Sequence, residues 1–180
     1  DLWFRAHWRV VAAIFVTVIG VAATVAAQED LAAELKAASA QTKSDPSLAK
    51  KIPKLADYIA WFNANAEWNA ENLAAVVPAL EPVWTHTPAS PLVGRAALLG
   101  AQALEKSGNA AGALELLRKH YLALAQPQGD LAMANAFLVS EDAISAAVYA
   151  QRVYYGYPTA PEAADARSEE HTSELQSHVR

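Results

Sequence analysis

Alanine-rich apolar stretches dominate this chain, and glycine and proline recur at intervals between them. Valine, isoleucine and threonine are sparse beyond residue 27. Because alanine has the highest intrinsic helix propensity and β-branched residues favour strands, this composition predicts an all-α body. The predicted helices are Glu29–Ala40, Pro46–Lys50, Pro53–Glu67, Ala70–Val83, Pro91–Lys106, Ala110–Leu124, Leu131–Val139 and Ala143–Tyr155.

Short polar side chains precede four of these helices and are expected to accept hydrogen bonds from the free amides of the first turn. These residues are Asp45, Asn69, Asn109 and Asp142. Gly108 and Gly156 stand where a helix is expected to end in a left-handed residue.

Small residues also recur at a fixed spacing. Ala101, Gly108 and Ala113 have counterparts 33 residues later at Ala134, Glu141 and Ala146, and Pro158 closes that later unit. The interval from Ala74 to Pro88 equals the interval from Ala113 to Pro127. Such a period is typical of stacked helical hairpins, in which small residues permit close helix crossing. The sequence predicts a right-handed superhelical stack of antiparallel helix hairpins, near residues 53–88, 91–127 and 129–161.

The repeated small and proline positions resemble those of tetratricopeptide repeats, although Glu141 replaces the usual turn glycine. A closer resemblance is carried by Leu80–Trp84, Thr87–Leu92, Arg118–Tyr121 and Tyr149–Pro158. Together these segments resemble the N-terminal superhelical region of bacterial soluble lytic murein transglycosylases. The resemblance covers most of residues 57–166.

This resemblance implies a non-catalytic segment of an exported enzyme that cleaves peptidoglycan. In that family a C-terminal lysozyme-like domain performs the reaction with a glutamic acid followed by serine, and this chain has neither that motif nor Gly-Leu-Met-Gln. The segment itself is therefore predicted not to be an enzyme, and its partners are expected to be peptidoglycan or cell-envelope proteins. The alternative function is that of a stand-alone periplasmic scaffold for protein–protein interaction, and a weaker one is an anchored assembly factor.

The N-terminal 27 residues have the pattern of an export signal. Basic Arg5 and Arg9 flank the uninterrupted apolar or small run Val10–Ala27, and Val25-Ala26-Ala27 precedes polar Gln28. We expect cleavage after Ala27 and a periplasmic location. An uncleaved membrane anchor is the competing interpretation, because the run approaches the length that spans a bilayer.

The C-terminal residues 167–180 are expected to be foreign to the fold. Arg167–Ser177 resembles the translation of a common short-read sequencing adapter, so we expect a disordered tail and a helical-repeat domain at residues 28–166. If the array is cut there, its last repeat lacks a neighbour and is expected to fray from about Leu131 onward.

Charge and residue types exclude several functions. The chain has a formal net charge of −5 without a basic stripe, so nucleic acid is not an expected partner. It has no cysteine, which excludes disulfides and thiolate zinc sites. His86 and His120 lack acidic partners at ligand spacing, and Glu67 and Glu71 flank an expected helix break at Trp68-Asn69. We therefore expect no metal, no cofactor and no catalytic residue.

The aromatic and basic side chains are the remaining binding candidates. Such rings can form platforms for sugars, but they also fill the seams between stacked hairpins. For the tryptophans and Tyr154 we favour packing, and for Tyr155 and Tyr157 both roles stay open. Arginines could line a concave face or lie solvated on helix surfaces. The candidate binding residues are Trp61, Trp84, Arg118, Arg152, Tyr155 and Tyr157.

Overall fold

The computed structural model of the chain describes residues 31–37 and 48–168. The predicted export signal, the cap residue Asp45 and residues 169–180 of the predicted tail lie outside these ranges. Within them all regular structure is helical. The helices are α1 (31–37), α2 (Leu48–Lys51), α3 (Ala56–Asn69), α4 (Leu73–Ala79), α5 (Glu81–Thr85), α6 (Val93–Lys106), α7 (Ala110–Lys119), α8 (Gln128–Val139), α9 (Ala143–Gly156) and α10 (162–168).

Helices that follow one another in sequence pack together. The main pairs are α3 with α4, α6 with α7, and α8 with α9, while α4 contacts α6 and α7 contacts α8. Short 3-10 turns at Pro53–Leu55 and Tyr121–Ala123 complete the connections. The predicted all-α class is confirmed, and none of the described helices is long and apolar enough to cross a bilayer.

The same turn joins the two helices of each main pair. A left-handed residue stands in each turn, with φ of 58° at Glu71, 82° at Gly108 and 60° at Glu141. The amide of the next residue then donates to a carbonyl five residues earlier, at 2.8–2.9 Å: Asn72 to Glu67, Asn109 to Leu104 and Asp142 to Phe137. This pattern is the Schellman motif, which satisfies the last carbonyls of the first helix. The left-handed conformation predicted at Gly108 is confirmed, and Glu141 adopts it too.

Two of the predicted helix caps are confirmed. The Asn109 side chain accepts from the Gly112 amide at 3.0 Å, and Asp142 accepts from the Ser145 amide at 3.1 Å. The prediction for Asn69 is wrong, because α3 continues through Asn69 and the cap position of α4 is Asn72. Gly156 is the last residue of α9 and has no positive φ.

Several predicted helix boundaries differ from the structure. The predicted helix Ala70–Val83 is two helices that meet at Leu80, where Pro82 at the start of α5 has no amide hydrogen to continue α4. The predicted helix Ala110–Leu124 ends at Lys119 and passes into a 3-10 turn. Helix α10 was not predicted, and it includes residues 167 and 168 of the predicted tail.

Small buried residues occupy equivalent places around the three turns. The residue seven positions before each left-handed residue is alanine and is fully packed, and the residue five positions after it is valine or alanine with no exposure. These are Ala64, Ala101 and Ala134, and Val76, Ala113 and Ala146. The predicted equivalence of Ala101 with Ala134 and of Ala113 with Ala146 holds. In the first pair, however, the matching residue is Val76, since Ala74 is exposed.

Glycine inside α6 permits a close approach between chain segments, which contradicts the expectation that glycine stands only between apolar runs. A Cβ atom added to Gly94 would lie 2.0 Å from the carbonyl oxygen of Ala123 in the second 3-10 turn. A Cβ atom on Gly100 would lie 2.8 Å from Leu116 Cδ2. Gly94 therefore lets α6 pack against the 3-10 turn that follows α7, and Gly100 lets it pack against α7 itself.

Two large apolar cores share helix α6 and the side chain of Trp84. The first core lies among α3, α4, α5 and α6 and includes Ala64, Val76 and Leu80; the second lies among α6, α7, α8 and α9 and includes Leu117, Met133 and Phe137. Half-buried Trp84 of α5 packs against both cores. Smaller clusters join α10 to α8 and α9, and α2 to α3.

Candidate functional site

Two arginines flank a stacked pair of rings. The rings of Phe137 and Tyr149 lie 5.6 Å apart between centroids with 24° between their planes. The Arg118 Cζ lies 5.3 Å from the Phe137 centroid, and the Arg152 Cζ lies 4.8 Å from the Tyr149 centroid. We call Arg118, Phe137, Tyr149 and Arg152 the arginine–ring cluster.

Three helices supply the arginine–ring cluster. Phe137 is near the end of α8 and Tyr149 is in the second turn of α9, so the Schellman turn at Glu141 brings their rings together. Arg152 follows Tyr149 by three residues and therefore lies on the same face of α9. Arg118 comes from the last turn of α7 and reaches across to α8. The cluster thus spans the α6–α7 and α8–α9 pairs.

A partly buried hydrogen bond lies beside the tyrosine of the cluster. The ring of Tyr121 meets Tyr149 edge to face, with centroids 6.4 Å apart, and its hydroxyl donates a hydrogen bond to Asp130 Oδ1. The main-chain amide of Asp130 donates a further hydrogen bond to the side-chain oxygen Oε1 of Gln126 at 3.1 Å. The hydrogen bond to Asp130, with burial and the carboxylate charge, raises the pKa of Tyr121, while nearby Arg152 opposes that shift.

The guanidinium groups of the cluster are exposed, and among the described residues neither forms an ion pair. The Arg118 charge acts on Asp142: hydrogen bonds from Ser145 lower the pKa of Asp142, and the Arg118 charge adds to the effect. A guanidinium carries five N–H donors, and no described carboxylate forms an ion pair with those of Arg118 or Arg152. The cluster can therefore donate hydrogen bonds to an anionic or strongly polar ligand.

The two candidate tryptophans take part in core packing. Trp61 is half-buried against the first core. Trp84 stacks on His120 with centroids 4.7 Å apart and 20° between planes. Burial, followed by the charge of Lys119, lowers the pKa of His120, and its Nε2 is buried without a hydrogen-bond partner. These contacts agree with the packing role favoured for the tryptophans.

The two candidate tyrosines lie at the end of α9. Tyr155 is 70% exposed and meets half-buried Tyr154 edge to face, with centroids 4.9 Å apart. Tyr157, just beyond the helix, is 39% exposed. Tyr154 packs against the small core between α8, α9 and α10. The exposed pair stays open to solvent one turn beyond Arg152.

A second polar group links α3 to the loop before α6. Buried Asp57 accepts a hydrogen bond from Ser90 Oγ at 2.6 Å, and His86 Nε2 lies 3.7 Å from Asp57 Oδ1. His86 Nδ1 contacts the Pro88 carbonyl at 2.9 Å. No acidic residue stands at ligand spacing from His86 in the sequence, and the packing of α3 brings Asp57 next to it. Because Ser90 donates to Asp57 and not to His86, these residues do not form a nucleophile–base pair.

The paired glutamates weighed for catalysis have separate roles. Buried Glu67 accepts from Asn72 Nδ2 at 2.8 Å, whereas Glu71 is exposed in the left-handed turn. The expected helix break at Trp68-Asn69 does not occur, because α3 continues to Asn69. Among residues 31–37 and 48–168, no group of three or more potential ligand side chains is placed to hold a metal ion.

Sequence reasoning identified both arginines but not the rings that hold them. Tyr149 and Arg152 are three residues apart on one predicted helix, so their contact was detectable from spacing. The contact of Arg118 with Phe137 joins helices of different pairs and has no local signal. Tyr121 and Asp130 were missed for the same reason.

No family model, curated protein or solved structure matched the chain.

Proposed function

We propose that this chain is the non-catalytic helical-repeat segment of an exported peptidoglycan lytic transglycosylase, and that it binds and positions the enzyme on murein. The observation that carries the proposal is the arginine–ring cluster, which presents two exposed guanidinium groups on a rigid aromatic base. Murein combines sugar rings with carboxylates, and both kinds of group accept hydrogen bonds from arginine.

The proposed architecture is a right-handed superhelical stack of tetratricopeptide type. Its support is the repetition of one Schellman turn at Glu71, Gly108 and Glu141, together with the equivalent small buried residues around each turn. In such a stack each hairpin buries its apolar face against its neighbours and presents an extended surface to ligands. The arginine–ring cluster joins two consecutive hairpins of the proposed stack.

Sedimentation with insoluble murein sacculi tests the proposal. The chain is expected to pellet with sacculi and to release no soluble fragments, because it contributes binding without the reaction. Bovine serum albumin, mixed with the same sacculi, controls for trapping. A chain that stays in the supernatant at every concentration would contradict murein binding, and clearing of a murein gel would contradict a non-catalytic role.

The alternative function is a periplasmic scaffold that binds other proteins. It is favoured by the outward face of α9, where the apolar side chains of Ile144, Val148 and Tyr155 are 76%, 46% and 70% exposed. Their spacing of four and seven residues places them on one side of the helix. Loss of a co-purifying envelope protein on Ile144→Ser and Val148→Ser, with murein binding absent, would favour this alternative.

A further inference from the structure

We propose that the exposed side of α9 binds a second copy of this chain, with the two α9 helices antiparallel about a two-fold axis at Val148. We call Ile144, Val148 and Tyr155 the α9 outer face; these apolar side chains are exposed and lie on one side of the helix, with exposed Gln151 among them. This inference goes beyond the proposed function and does not depend on it.

The positions of the α9 outer face are exposed in all three hairpins, so the stacking of repeats does not cover them. The residues three and seven positions after each left-handed turn residue are all exposed: Ala74 and Pro78, Ala111 and Glu115, and Ile144 and Val148. Helices α4 and α7 are each followed by another helix pair, and these positions remain exposed in both. A further repeat is therefore not the occupant, although of the three helices only α9 carries bulky branched apolar residues there.

The charges along α9 are complementary to those of a second, antiparallel α9. Acidic Glu141 and Asp142 stand at its N-terminal end, and Arg152 is the only charged residue between residues 143 and 161. Asp142 and Arg152 lie toward the same edge of the helix, because Arg118 of the arginine–ring cluster acts on Asp142 and Arg152 belongs to that cluster. A two-fold axis therefore brings the acidic end of one helix beside the basic end of the other.

The two-fold axis at Val148 sets the register of this pairing. Positions four residues on either side of the centre face each other, so Arg152 of one copy lies opposite Ile144 of the second copy. Asp142 is two residues from Ile144, about 3 Å along the helix, which is within reach of an arginine side chain. Val148 packs against its own counterpart, and the opposed helix dipoles add a favourable interaction.

The size of the α9 outer face predicts a weak dimer. Three apolar side chains from each copy bury less than the roughly 1,200–2,000 Å² of stable protein complexes. We therefore expect a dimer that exchanges with monomer, with a Kd on the order of 10 μM or weaker. A method that traps the contact is needed to detect it.

Cysteine cross-linking of the full chain tests the proposal, because the chain has no cysteine of its own. Val148→Cys is oxidised with copper phenanthroline, and dimers are measured on non-reducing gels. A disulfide requires Cα atoms about 4.4–6.8 Å apart. Ile144→Cys is the control for direction, since its two copies are about 12 Å apart along antiparallel helices. Glu115→Cys, at the equivalent position of α7, reports association through the rest of the chain.

We expect Val148→Cys to cross-link about ten-fold or more faster than either control. Adding Arg152→Glu or Asp142→Lys to the Val148→Cys chain should slow cross-linking several-fold, because like charges then meet at both ends. Mixing these two charge variants should restore most of the rate, because each substituted end meets an opposite charge in the mixed pair. Circular dichroism verifies folding, since Asp142→Lys also removes the cap of α9.

Equal cross-linking of Val148→Cys and Glu115→Cys would overturn the inference and leave the proposed function intact. That result is also expected if a different protein covers the α9 outer face. Equal cross-linking of Ile144→Cys and Val148→Cys indicates parallel helices and likewise refutes the antiparallel pair. If the mixture of charge variants cross-links no faster than either alone, the pairing of Arg152 with Asp142 is wrong.

Discussion

At the scale of single residues, a side-chain contact could be predicted when its partner is close in sequence. Asn109 and Asp142 cap their helices through amides three residues ahead, a local contact that the sequence alone predicted correctly. Arg118 meets Phe137 and Asp57 meets His86 across different helices, and sequence offered no signal for either contact. Local contacts follow from spacing, whereas contacts between elements depend on how the elements pack.

Glu105 of α6 is predicted to make stability depend on pH. Burial raises the pKa of Glu105 from 4.5 to about 7. The folded state then holds a proton that the unfolded chain releases, so the free energy of unfolding falls as pH rises from about 4.5 to 7. After a discount for its partial exposure, Glu105→Gln should raise the free energy of unfolding by about 1 kcal/mol at pH 8.

Urea denaturation at pH 4 and pH 8 checks this prediction. Near pH 4, where Glu105 is protonated in both states, the variant and wild type should be about equally stable. Glu115→Gln, on an exposed face of α7, is the matched control and should show no such pH-dependent gain. A gain of the same size at both pH values would contradict the titration of Glu105 as the cause.

At the scale of elements, the existence of helices was easier to predict than their ends. Alanine-rich stretches predicted α6, α9 and the start of α7 closely, because propensity and caps agree there. The break at Leu80 and the 3-10 turn after α7 were not predicted. The break is hard to predict because it depends on proline positions inside a continuous apolar stretch. The shared turn was half predicted: Gly108 signals a left-handed residue, but Glu71 does not.

The left-handed turns predict opposite effects of two substitutions. Glu71→Gly should raise the free energy of unfolding by about 0.5–1 kcal/mol, because glycine adopts φ near 58° without a steric cost from Cβ. Gly108→Ala should lower it by about 1 kcal/mol for the converse reason, although a Cβ there would meet no neighbouring atom.

Thermal and urea unfolding of both variants measure this difference. Gly156→Ala serves as the control, since Gly156 has no positive φ and open space at its Cβ position. That variant should equal or slightly exceed wild type, because alanine is the better helix former. Destabilisation by Glu71→Gly would contradict strain as the dominant property of the turn.

For the whole molecule, the decisive contacts join elements far apart in sequence. Small residues at equivalent places predicted that hairpins recur, and Ala101, Ala113, Ala134 and Ala146 are indeed buried. Two contacts could not be predicted: the close approach of Gly94 to the Ala123 carbonyl, and the packing of Trp84 against both cores. Each depends on how the helix pairs are placed relative to one another. The arginine–ring cluster depends on the same placement.

Trp84 is predicted to couple the two cores. Removing its ring by Trp84→Ala leaves a cavity that faces both cores and should lower the free energy of unfolding by about 3 kcal/mol. Trp61→Ala is the control, since Trp61 packs against the first core alone. It should cost less and leave unfolding in one step.

Tryptophan fluorescence during urea unfolding reports on the first core through Trp61 and Trp68, and circular dichroism reports on all the helices together. Wild type should unfold in one transition by both probes, and Trp84→Ala should separate them, because the link between the cores is weakened. Coincident transitions in the Trp84→Ala variant would show that other contacts between α6 and its neighbours maintain the coupling.

The three Schellman turns also define where this chain tolerates extra length. Each turn completes its own hydrogen bonds within six residues and presents an exposed left-handed residue at Glu71, Gly108 or Glu141. In an insertion after the left-handed residue, the first inserted residue can supply the amide that closes the turn, so both helices and their buried small residues stay in place. The main cost is then the closure of a longer loop, which grows by only about 0.6 kcal/mol for each doubling of loop length. The turns are therefore natural points for grafting a recognition peptide or a fluorescent tag, and for new loops to arise in evolution.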